Sequence, residues 1–147
     1  MASWFPSMND AQGPSEDTWL TRLSPEEWLS AAENELARAT EALSSKHQRA
    51  GVTQARRAAG MAWNAVLCGI ADVGERTRYG RSYMDHLRVL GNEASVSATV
   101  REAAAGLASA PLDAVLVQLG AGDVRLAKLA AVIVEEARRR MASNHAS

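Results

Sequence analysis

Apolar residues recur at Trp28, Ala32, Leu36, Ala39 and Leu43, three or four positions apart, which lines them along one face of a helix. Just before them, Ser24-Pro25-Glu26-Glu27 sets a hydroxyl at the N-cap, proline at the first helical position and glutamate at the third. Leu23 and Trp28 occupy the two staple positions, so a helix is predicted over 25–44. A polar connection over 44–51 follows. Val52, Ala55, Ala59, Ala62, Val66 and Ile70 then repeat at helical spacing, predicting a second, largely buried helix that Gly74 ends. Gly60 lies in its middle, where glycine costs about 1 kcal/mol against alanine, so a neighbouring element is expected to approach closely there. Two further helices are predicted, one over 79–90 closed by Gly91-Asn92, the other over 95–107 with Val96, Val100, Ala103 and Leu107 on one face. Ala110-Pro111 marks a break, before a short helix over 112–119 and a Gly120-Ala121-Gly122 turn. Asp123 is the expected N-cap of a last helix carrying Leu126, Ala130, Ile133, Ala137 and Met141 on one face. Arg138, Arg139 and Arg140 fall in its expected final turn, where cations complement the carbonyl end of the helix.

With no strand-like alternation, this pattern predicts an all-α, up-and-down bundle of five to six helices over 23–142. Residues 1–22 read as an irregular arm pinned to the bundle or to a partner subunit by Trp4-Phe5 and Trp19-Leu20, and residues 143–147 as a flexible tail. A length of 147 residues suits one domain with one core, and 47% hydrophobic with 22% charged residues is an ordinary globular balance. The formal net charge of −1 provides no general basic field, so any nucleic-acid contact has to be local. Lys46 and Lys128 are the only lysines among 16 basic residues, and arginine suits bidentate recognition of phosphate or carboxylate. The single Cys68 sits among Val66, Leu67 and Ile70, as an inert buried thiol would. No clustered ligands suggest a metal or cofactor, and neither His47 nor His145 has partners for one. No stretch reaches 18 uninterrupted apolar residues and no leader opens the chain, so a cytoplasmic protein without membrane contact is expected.

The stretch from Trp28 to Leu67 resembles the first two helices of HEPN domains. Trp28, Leu29, Ala32, Leu36, Ala39 and Leu43 match the opening helix, and Ala50, Val52, Ala55, Ala58, Ala59, Ala62, Ala65 and Leu67 match the second. His86-Leu87-Arg88-Val89-Leu90 resembles the family's later His-Asp-Leu-x-x-Leu segment, and Asp123 to Met141 its terminal helix. Gly60, Met61 and Asn64 stand where many members carry Glu and Lys, a departure that removes charge from that face. The resemblance implies a bundle that commonly forms a homodimer. It also implies a family that includes ribonuclease toxins, partners of minimal nucleotidyltransferases, and nucleotide-binding modules. The family's ribonucleases carry Arg, four to six residues, then His, a spacing that Arg81 and His86 match.

RNA cleavage of that kind needs a base for the 2′-hydroxyl and a cation for the phosphate, so Arg81 and His86 are the candidate catalytic pair, acting without metal. Five residues on one continuous helix leave them about 140° apart, so they meet only at a helix end or across a dimer seam. The simpler account pairs Arg81 with Asp85 and Asp85 with Arg88, and packs His86 beside Tyr83. Arg49, Arg56 and Arg57 are the candidate phosphate ligands, Arg49 and Arg56 lying seven residues apart on one helix side, with Tyr83 a further ligand-binding candidate. The expected function is binding or cleaving RNA, or binding a nucleotide, within a toxin-antitoxin or nucleotidyltransferase pair. The alternative is a non-catalytic dimerisation or protein-interaction module.

Overall fold

The computed structural model describes residues 18–45, 47–110 and 124–146, and over them the chain is an all-α bundle with no strand. Among the described residues a helical turn at 18–21 leads into six helices: α1 (Pro25–Ser44), α2 (Gln48–Cys68), α3 (Val73–Thr77), α4 (Tyr83–Leu90), α5 (Ala98–Ser109) and α6 (Arg125–Ala146). The expected anchors Trp4-Phe5, the short helix over 112–119, the Gly120-Ala121-Gly122 turn and the Asp123 cap lie outside the described residues. None of the described helices is long and apolar enough to cross a membrane.

The start of α1 is built as its sequence demands. Ser24 Oγ accepts from the Glu27 amide at 3.1 Å, and Glu27 Oε1 accepts from the Ser24 amide at 2.8 Å. Trp28 is buried with Leu23 packed beside it, and its indole N–H donates to the Leu20 carbonyl at 2.7 Å. That bond ties the 18–21 turn down over the first turn of α1, and Leu20 joins the core. The end of the expected irregular arm is therefore helical and docked.

Helix α2 is the centre of the bundle, packing against α1, α4, α5 and α6. Twelve of its 21 residues are buried, and its exposed residues, Arg49, Ala50, Thr53 and Arg57, all lie in its first half. At Gly60 the approach of α4 is so close that a Cβ would stand 2.3 Å from Tyr83 Cδ1. The missing side chain is what admits the tyrosine.

Several expected boundaries move, each for a local reason. Helix α2 stops at Cys68 with Gly69 as its cap, short of the expected stop at Gly74. Gly74 instead lies inside α3, which Asp72 starts by accepting from the Glu75 amide at 3.0 Å. The helix expected from Tyr79 begins at Tyr83, because Gly80 takes a positive φ of 73° and Ser82 caps the Asp85 amide at 3.0 Å. Helix α5 begins at Ala98 because Ser97, rather than Ser95, accepts from the Val100 amide. Helix α6 continues to Ala146, so residues 143–146 are helical and the arginine run is not in its last turn. Arg138 joins Glu33 on α1 and Glu135 on its own helix, while Arg139 and Arg140 hold the buried Glu136. Burial opposes the charge of Glu136, but the two guanidiniums outweigh it and keep the carboxyl below its usual range.

Candidate functional site

The break at Gly80 and the cap at Ser82 place Arg81 just outside α4 and His86 within it. This is the helix-end arrangement, one of the two that a five-residue separation leaves open. Trp19 lies against both: the Arg81 guanidinium carbon is 5.8 Å from its ring centroid, and the His86 ring centroid 6.0 Å from it. Asp85 pairs with Arg88 at 3.5 Å, and Arg81 faces the indole.

His86 is 0% exposed and held on both sides. Nδ1 lies 2.8 Å from the Tyr79 carbonyl oxygen and Nε2 lies 2.7 Å from Asn64 Oδ1. Burial lowers its pKa, against smaller opposing effects of the Tyr79 carbonyl and Asp85. Neither ring nitrogen is free to take a proton from a 2′-hydroxyl, and the imidazole works as a pin between α4, α2 and the 79–82 turn. Tyr83 stands edge-on to it, with centroids 6.4 Å apart and planes at 73°.

Beside this pin lies a cleft of about 390 Å³, at the small end of the roughly 300–1,000 Å³ of small-ligand sites. Three aromatic rings, Trp19, Trp28 and Tyr83, line it together with Arg22, Arg81 and Asn64; Ser82 completes the lining. Burial raises the Tyr83 phenol pKa, while Arg57 and Arg22 pull it down, which places both cations within electrostatic reach of the ring. Arg57 is neutralised by the buried Glu35 at 3.6 Å, which also takes Arg38 at 3.1 Å. Arg22 and Arg81 have no carboxylate partner among the described residues. Asn64 is 1% exposed, and its terminal Nδ2 has no hydrogen-bond partner among the described residues.

The cleft therefore joins Arg81 and Tyr83, with His86 behind it, and its lining leaves out the expected Arg49, Arg56 and Arg57. Arg56 donates from Nε to the Leu107 carbonyl at 2.8 Å and from Nη2 to the Ala110 carbonyl, closing the C-terminal end of α5. Arg49 lies exposed in the first turn of α2 and does not line the cleft. Arg22, Trp28 and Asn64 were not singled out as ligands by the sequence. Asn64 carried a signal, since it is the one polar side chain in the run from Ala62 to Cys68.

Elsewhere, Cys68 is half-buried with its thiol pKa raised by burial, which keeps it protonated and unreactive near neutrality. No three His, Cys, Asp or Glu side chains converge to hold a metal among the described residues. A second, more open hollow between α1 and α2 is lined by Ala37, Ala42, Ala50, His47 and Gln54. No family model, curated protein or solved structure matches the chain.

Proposed function

We propose that the chain is a HEPN-like domain that binds a nucleotide, free or as an unstacked residue of single-stranded RNA, in the Trp19–Tyr83 cleft without cleaving it. One observation carries this reading: three aromatic side chains and two guanidiniums that have no carboxylate partner among the described residues line the same cleft. Aromatic rings take the face of a base whatever its identity, and an unneutralised arginine takes its phosphate. The engagement of both His86 nitrogens favours binding over cleavage. A net charge of −1 fits a local site better than a track along a polymer.

Titration of 5′-AMP and of a mixed-sequence single-stranded 8-mer RNA, followed by tryptophan fluorescence and calorimetry, tests the reading. Saturable binding is expected, weakened roughly tenfold or more by Trp19→Ala through lost stacking and several-fold by Arg81→Ala, with Arg49→Ala unchanged. No saturable binding of either ligand would overturn the proposal. RNA cleavage in chelator that disappears in Arg81→Ala would restore the catalytic role. The HEPN resemblance also supports a homodimer and a nucleotidyltransferase-type partner. Sedimentation equilibrium at micromolar concentration should then give twice the 15.7 kDa chain mass, and a single species at the chain mass would remove the homodimer.

A further inference from the structure

The Tyr79 carbonyl can only accept, so His86 Nδ1, 2.8 Å away, must carry a proton. With Asn64 Oδ1 2.7 Å from Nε2, both ring nitrogens face oxygens, a pattern that only the doubly protonated imidazolium satisfies. A 0% exposed ring with no carboxylate on either nitrogen has nothing to stabilise that charge. The neutral ring is satisfied when the Asn64 amide turns over, so that its NH2 donates to Nε2. The oxygen then takes the terminal position that has no partner among the described residues, on a side chain that lines the cleft.

Resting on the nucleotide-binding reading above, we infer that the cleft selects a nucleobase with an amine at purine C6 or pyrimidine C4, adenine or cytosine, over the counterpart with a keto group there, because Asn64 presents an oxygen held in place by His86. An amine on the ligand edge donates to that oxygen and satisfies it. A keto oxygen there meets another acceptor, and the amide cannot turn to help without leaving Nε2 facing Oδ1. Unlike the stacking faces, which take any base, this contact discriminates.

The experiment compares 5′-AMP with 5′-IMP, and 5′-CMP with 5′-UMP, by calorimetry on the full chain at pH 7.5. The amino member of each pair should bind about 5- to 50-fold tighter, the scale of one buried hydrogen bond made against one left unsatisfied. Asn64→Asp keeps an oxygen at the terminal position and should keep the AMP-to-IMP ratio, whereas Asn64→Leu should bring it close to one. The wild-type ratios decide the matter even where a variant fails to fold. Equal binding within each pair, or a keto preference, overturns this inference while leaving the binding site in place. No binding of any of the four removes the site and this inference with it.

Discussion

Below about pH 6.5 the buried imidazole of His86 should cost the protein stability. Its folded pKa lies below the ordinary value of about 6.5, first because of burial. The unfolded chain therefore takes up a proton near pH 6.5 while the folded chain does not. The contribution of His86 is complete above that pH and is lost as pH falls towards the folded value, at no more than about 1.4 kcal/mol per pH unit. Urea unfolding of wild type and His86→Gln across this range should show the steeper fall in wild type; parallel curves would refute the assignment of a neutral His86. At Gly60 the relevant quantity is space. Alanine gains about 1 kcal/mol in helix propensity, but its Cβ would stand 2.3 Å from Tyr83 Cδ1, and such overpacking costs typically 1–3 kcal/mol. Gly60→Ala should therefore lower the urea midpoint and disturb the Tyr83 wall of the cleft. An unchanged midpoint would mean that α4 stands further from α2 than this contact requires.

Helix starts and helix ends behave differently in this chain. The start of α1 rests on the reciprocal Ser24 and Glu27 bonds, both written within four consecutive residues. Ser24→Ala should cost about 1 kcal/mol, measurable as a shift in thermal midpoint, and a loss below the error of the measurement would make the box ornamental. Among the described residues the end of α5 has no local device of that kind. Its Leu107 and Ala110 carbonyls are taken by Arg56, 51 and 54 residues away in sequence. Arg56→Ala should destabilise by about 1–2 kcal/mol and speed hydrogen exchange in the last turn of α5, with nucleotide binding intact. A selective loss of binding with full stability would return Arg56 to the role of phosphate ligand that its spacing from Arg49 suggested. Helical periodicity did reveal most of the residues of α1, α2, α5 and α6 that face inward, although on α1 Glu35 is buried and Leu36 only partly so. It could not show that Arg56 is spent on a carbonyl, because that partner belongs to another helix.

For the molecule as a whole, the near-zero net charge and the two cleft arginines limit how far binding can depend on salt. With one or two phosphates neutralised on single-stranded RNA, log affinity should fall against log salt with a slope of about −0.7 to −1.4. A slope steeper than about −4 would point to a longer basic track and away from the cleft. What the sequence by itself determined is the local physics: the all-α class, the Ser24 box, the buried character of α2, and the need for a close neighbour at Gly60. Each depends on residues a turn or two apart, whose interactions are encoded by spacing. The cleft is of another kind. Trp19, Trp28, Asn64 and Arg81 come from the 18–21 turn, α1, α2 and the residues before α4, and no spacing along the chain records their meeting. The role of His86 was decided in the same way. Its identity offered a base, but packing put a carbonyl on one nitrogen and an amide on the other, and in a dry interior those partners set what an imidazole can do.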